Sequence, residues 1–143
     1  MPQRGAAEVG DLTFKQDFLH KPIEFSGKVD TGFNPSWTAG TGWKPCMKWT
    51  VITNKTGILD ADIRTLFATD NDAYGAEVRV RFNGVQKTYL ETTSESYVSC
   101  VLDFEEGVLK DTTYEVILDC ADDGKMTWYL FDTPDWVADF VVS

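Results

Sequence analysis

Four aromatic side chains stand beside turn-forming residues rather than inside strand patterns, and they are the first candidates for a binding site. Phe33, Trp37 and Trp43 lie in segment 31–45, whose three glycines and two prolines oppose regular structure. Trp136 follows a turn-forming stretch that contains a proline. The face of such a ring can stack on the apolar face of a sugar while its N–H bonds a hydroxyl group. These four residues therefore predict a ligand-binding surface.

The aromatic rings of segment 31–45 also have a purely structural interpretation. The segment is longer than most connections in a compact domain. Its rings can fold back and close one end of the core, as they do in a self-packed Ω-loop. Trp49 and Trp128 lie inside strand patterns instead, so both are expected in the core.

Asp70, Asn71 and Asp72 place three hard oxygen ligands close together, which is the ligand type that calcium requires. The same residue types are common in turns because they form local hydrogen bonds. The spacing lacks the central glycine and the final glutamate of an EF-hand loop. Calcium at these three residues is thus an alternative to a plain turn, and no other cofactor is predicted.

Catalytic chemistry has no clear signature in the sequence. The carboxylate pairs Glu105-Glu106 and Asp122-Asp123 lie in predicted turns, and nothing selects one acid and one base among them. The single histidine, His20, stands beside a proline that interrupts a strand pattern. Motifs for serine nucleophiles, zinc hydrolases, phosphate loops and dinucleotide binding are absent. The sequence therefore names no catalytic residue and favours a protein that is not an enzyme.

The charge of the chain restricts its partners. Its 143 residues carry a net charge of −10. Sequence-independent binding to nucleic acid depends on Lys and Arg that displace counterions, so no nucleic acid partner is predicted. A neutral glycan or a basic protein is compatible with this charge, and an oligomer is possible. Neither a signal peptide nor an apolar run approaching the roughly 18 residues of a membrane span is evident. The localisation is not specified, and cytoplasmic is the default expectation.

The strand pattern centres on a predicted hairpin. Apolar and polar residues alternate over 76–82, which indicates a strand with one buried face. Asn83 and Gly84 then favour a type I′ turn into a second strand. This turn sets Val78 opposite Tyr89 in the core. The residues expected together on the outward face are Arg79, Arg81, Gln86 and Thr88.

Further strands are predicted at 12–19, 23–29, 46–53, 58–69, 97–104, 114–119, 126–131 and 136–142. Segment 58–69 also fits a short helix, but a strand leads more directly into the turn that follows. This pattern predicts an all-β, single-domain antiparallel β-sandwich of the jelly-roll or immunoglobulin-like kind, with a small β-barrel as the alternative. The expected division is a flexible N-terminal arm over 1–10 and a sandwich domain over 11–143.

The three cysteines, Cys46, Cys100 and Cys120, cannot all pair with one another, and none forms a C-x-x-C element. Each lies in or next to an apolar strand pattern, so buried free thiols are expected. One disulfide remains open as an alternative if the protein is exported.

Two main hypotheses of function follow. The first is a carbohydrate-binding, lectin-like module, which requires exposed rings with polar neighbours. The second is an acidic protein-interaction or structural protein, such as an inhibitor, an immunity protein or a virion-type subunit, which requires clustered carboxylates or a large apolar patch on one face. A third is a small barrel that encloses an apolar ligand or substrate, with its aromatic rings pointing into a cavity.

Overall fold

The computed structural model describes residues 6–9, 11–19, 23–25, 28–30, 43–69, 73, 75–122, 124–129 and 138–143. Regular structure in these ranges consists of β-strands: β1 (Ala6–Val9), β2 (Leu12–Phe18), β3 (Ile23–Phe25), β4 (Lys28–Asp30), β5 (Lys44–Thr53), β6 (Gly57–Thr69), β7 (Ala76–Phe82), β8 (Val85–Thr92), β9 (Val98–Val108), β10 (Thr113–Asp122), β11 (Gly124–Tyr129) and β12 (Ala138–Val142). The predicted all-β class is confirmed. The described residues contain no helix long and apolar enough to cross a membrane.

The strands form two antiparallel sheets. The first has the order β1-β2-β5-β10-β7-β8, and the second has the order β12-β6-β11-β4-β3 with β9 also paired to β6. Ala61 in the middle of β6 pairs with Phe104 of β9 on one side and with Phe140 of β12 on the other. The apolar faces of the two sheets meet in one core. The predicted β-sandwich is therefore confirmed.

Trp49 of β5 is the largest fully buried side chain of the core. It makes an edge contact with Phe140 of the opposite sheet, with ring centroids 6.3 Å apart. The Phe140 ring also contacts Phe14, with ring centroids 5.0 Å apart. The indole N–H of Trp49 donates to Oε1 of Gln16 at 2.9 Å, and Gln16 is itself only 2% exposed. The prediction that Trp49 lies in the core is confirmed, and its one polar atom is satisfied there.

The three cysteines are free and buried. Burial raises the pKa of the Cys100 thiol to about 12. Burial also raises the pKa of Cys46 well above its usual value, with Cys120 and Asp119 adding to the effect. The Cys46 thiol donates to the Met126 sulfur at 3.3 Å. These thiols therefore behave as small apolar core side chains.

Several strand boundaries differ from the predicted ones because long-range pairing overrides local turn signals. Strand β9 runs through the Glu105-Glu106-Gly107 stretch that was expected to end it, since β6 pairs with it as far as Val108. The single strand predicted at 23–29 is instead the antiparallel pair β3 and β4. Residues 6–9, inside the segment predicted as a flexible arm, pair with β2.

The turn between β7 and β8 has the predicted type I′ conformation. Asn83 has φ 47° and Gly84 has φ 85°, and both central residues of this turn require positive φ. The Asn83 side-chain oxygen also accepts the N–H of Glu115 at 2.8 Å, which ties the turn to β10.

Replacing Gly84 with valine should lower the free energy of unfolding by about 1 to 3 kcal/mol, because a β-branched side chain is strained at positive φ. No atom lies within 4 Å of the position that a Cβ would take at Gly84, so backbone strain is the sole cause. Gly107→Val is the matched control, since Gly107 is also open but lacks positive φ. Urea denaturation of both variants checks this, and equal stability of the two would contradict it.

Candidate functional site

A β-bulge in the hairpin builds the candidate site. Phe82 faces Val85 and Arg81 faces Gln86, but Val80 then faces Thr88, so Lys87 is an extra residue in β8. A one-residue shift moves every later side chain to the other face of a strand. The predicted pairing of Val78 with Tyr89 is therefore wrong.

Arg79 pairs with Tyr89 instead, on the outward face of the first sheet. Thr88, predicted on that outward face, pairs with Val80 on the inner side. Lys87 forms an ion pair with Glu106 of the second sheet, with Nζ 3.0 Å from Oε2. The bulge thus brings an aromatic ring next to an arginine and gives the extra lysine a partner.

Asp119 of β10 lies beneath two arginines on this outward face. Its Oδ2 accepts Nε–H of Arg79 at 2.8 Å and Nε–H of Arg81 at 2.6 Å, while its Oδ1 accepts an Nη2–H of Arg81 at 3.0 Å. Asp119 has no exposed surface, whereas about a fifth of the Arg79 side chain and a quarter of the Arg81 side chain are exposed. The hydrogen bond to Asp119 raises the pKa of Arg81. The carboxylate therefore fixes both guanidinium groups against the sheet.

Trp43 stands immediately before β5 and packs onto the same face. The guanidinium carbon of Arg79 lies 4.4 Å from the centroid of the indole ring, a cation–π contact. Tyr89 meets the indole edge-on, with centroids 6.0 Å apart and an interplanar angle of 84°. Trp43 is half-buried and Tyr89 is 37% exposed. The Trp43 ring is thus held at the surface by an arginine that is itself held by Asp119, and the Tyr89 ring packs against this indole.

Two carboxylates complete this arrangement. The hydroxyl group of Tyr89 lies 2.5 Å from Oε1 of Glu77 and 3.0 Å from Oε2 of Glu91, and its single hydrogen donates to this pair. The hydrogen bond to Glu77 raises the pKa of Tyr89, with burial and Glu91 adding to the effect. Both carboxylates therefore favour the protonated phenol and anchor its hydroxyl end.

We call this group of side chains the aromatic face; it consists of Trp43, Glu77, Arg79, Arg81, Gln86, Tyr89, Glu91 and Asp119. Its three carboxylates and two guanidinium groups carry opposite charges that nearly cancel. Gln86 is exposed and accepts from Arg79 Nη1 at 3.4 Å. The face therefore combines apolar ring surface with hydrogen-bond donors and acceptors in fixed positions.

Only Trp43 among the predicted site residues lies in the part of the chain that the structure describes. Phe33, Trp37 and Trp136 lie outside the described residues, and so do the calcium candidates Asp70, Asn71 and Asp72. Their roles remain predictions. Within the described ranges, no group of three or more His, Cys, Asp or Glu side chains is placed to hold a metal ion.

Trp43 is the one member of the aromatic face that the sequence predicted as a site residue. The seven members that were not predicted as site residues are Glu77, Arg79, Arg81, Gln86, Tyr89, Glu91 and Asp119. A signal for the position of Tyr89 did exist in Lys87. A hairpin without a bulge would have turned the Lys87 side chain towards the core, which is unfavourable for a charged group. Asp119 gave no local signal, because its partners depend on β10 lying between β5 and β7.

The outward face of the second sheet is acidic. Five carboxylates occupy neighbouring positions of β6, β9 and β12, namely Asp60, Asp62, Asp103, Glu105 and Asp139. Asp62 pairs directly with Asp103 on one side and with Asp139 on the other, and like charges in such positions destabilise a sheet. Arg64 offsets part of this charge, with Nη2 2.9 Å from Asp62 Oδ2. The carboxylates therefore outnumber the positive charge that Arg64 supplies on this face.

Comparison with known proteins gives structural likenesses alone. No family model and no curated protein matches the sequence. A family 35 carbohydrate binding module from Clostridium thermocellum is similar in structure, with a TM-score of 0.42 and 16% identity over 87% of this chain and 92% of that one. A cycloisomaltooligosaccharide glucanotransferase from Paenibacillus sp., complexed with cycloisomaltoheptaose, gives a TM-score of 0.38 and 14% identity over 81% of this chain. This chain spans 16% of the length of that enzyme.

Proposed function

We propose that this protein is a non-enzymatic recognition module that binds a neutral glycan at the aromatic face. The observation that carries the proposal is a pair of partly exposed rings on an outward sheet face: Trp43 is held by Arg79, and Tyr89 packs against its edge. A ring used only as core filling has no need of such a polar frame.

A sugar presents an apolar ring face bordered by hydroxyl groups that both donate and accept hydrogen bonds. The rings supply the apolar contact. Guanidinium groups donate in fixed directions, and the carboxylates of Glu77 and Glu91 accept. Since the positive and negative groups nearly cancel, a neutral glycan meets no strong net charge. Because these side chains already bond one another, little ordering is needed on binding.

Glycan-array screening followed by calorimetric titration tests the proposal. Arg79→Ala should weaken the binding of any glycan found at least tenfold, about 1.4 kcal/mol, because it removes a donor and the contact that holds Trp43. Arg64→Ala is the matched control, since Arg64 is an exposed arginine on the opposite sheet, and its affinity should stay within about twofold. Absence of any bound glycan, or equal losses in both variants, would contradict the proposal.

A further inference from the structure

We propose that the aromatic face recognises a single sugar unit at the end of a soluble glycan rather than an extended or crystalline polysaccharide surface. This inference rests on the proposed function and narrows its ligand class. It follows from the angle between the two rings and from the contacts that fix this angle.

Trp43 and Tyr89 form a corner and not a platform. Their planes meet at 84° with centroids 6.0 Å apart. A flat ligand can lie against the face of one ring. The other ring then stands perpendicular to the ligand and can contact only its edge. Several coplanar rings would be needed to follow a flat chain of sugars, and the described residues of this face do not offer them.

The corner cannot flatten without losing its supporting contacts. Arg79 covers one side of the indole at 4.4 Å, and Asp119 holds that guanidinium from a fully buried position. The phenol of Tyr89 is anchored at its hydroxyl end by Glu77 and Glu91. Both rings are therefore fixed in the perpendicular arrangement before a ligand arrives.

The polar groups around the corner also suit a chain end. A terminal sugar unit has one glycosidic linkage where an internal unit has two, so it offers more free hydroxyl groups. Arg79, Gln86 and Glu91 surround the corner with donors and acceptors. A terminal unit can satisfy more of these groups than an internal unit can.

Titration with cello-, xylo- and manno-oligosaccharides of one to six units, together with depletion onto cellulose and chitin powders, tests the inference. For the series that binds, we expect the affinity to change by less than about threefold between two and six units, with no depletion onto either powder. Tyr89→Ala should reduce binding of the disaccharide at least tenfold. Leu109→Ala, which also truncates an exposed apolar side chain, should not alter it.

An affinity that rises tenfold or more with chain length, or retention on a powder without binding of short sugars, would overturn the single-unit inference while leaving glycan recognition intact. Binding of none of the soluble sugars and neither powder would overturn the single-unit inference, and absence of any bound glycan on the array would overturn glycan recognition as well. If Tyr89→Ala and the unmodified protein bind the disaccharide with equal affinity, the corner formed by Trp43 and Tyr89 is not the binding site.

Discussion

Replacing Trp49 with alanine should lower the free energy of unfolding by about 3 to 5 kcal/mol, the usual range for a deleted core aromatic ring. Trp49 has no exposed surface and packs against Phe140 of the opposite sheet. The change leaves a cavity between the sheets, and it also leaves the Gln16 side chain buried without the indole donor. Equilibrium denaturation in urea measures the loss.

A second pair of variants separates packing from hydrogen bonding at this position. Trp49→Phe keeps most of the ring but leaves the Gln16 oxygen without its donor, which costs about 1 to 3 kcal/mol. Adding Gln16→Leu removes the stranded polar group and should recover part of that loss. If the double variant loses more unfolding free energy than the two single variants lose together, the assigned hydrogen bond is contradicted.

Replacing Asp119 with alanine should cost roughly 3 kcal/mol of stability, the lower end of the range for a broken buried ion pair. The lower end applies because Arg79 and Arg81 keep some exposure to water. The same change should also weaken glycan binding at least tenfold, since Arg79 loses the contact that holds it over Trp43. Urea denaturation and calorimetry on one preparation give both values.

Asp62→Ala is the control for Asp119→Ala. It makes the same substitution at an aspartate paired with an arginine, but the Arg64 side chain is 63% exposed. Exposed ion pairs contribute about 0 to 1 kcal/mol, and losing Asp62 also relieves repulsion from Asp103 and Asp139. Its stability should therefore change little or rise. A loss at Asp62 equal to that at Asp119 would show that burial under two arginines has no special effect.

The fold was readable from the sequence because strand alternation and turn chemistry are local. The alternation over 76–82 and the pair Asn83-Gly84 predicted β7 and its turn, and both are confirmed. The strand interpretation of 58–69 is confirmed as β6. Strand ends were less readable, since β9 continues through Gly107 only because β6 pairs with it there.

The site was readable only in part. Segment 31–45 directed attention to Trp43, although β5 already begins at Lys44 inside that segment. Tyr89 joined the site through a bulge that follows a regular I′ turn, and a regular turn gives no warning of a bulge. Asp119 joined it because β10, distant in sequence, inserts beside β7. Such contacts depend on strand order, which local patterns do not determine.

The central claim is that Trp43 serves recognition and not packing, and the Trp43→Ala variant tests it most directly. Its unfolding free energy and its affinity for the oligosaccharide bound by the unmodified protein are measured together. Recognition predicts a stability within about 1 kcal/mol of the unmodified protein and an affinity reduced at least tenfold, since a stacking aromatic anchor dominates such a site. A stability loss of about 3 to 5 kcal/mol with unchanged glycan affinity would contradict the account.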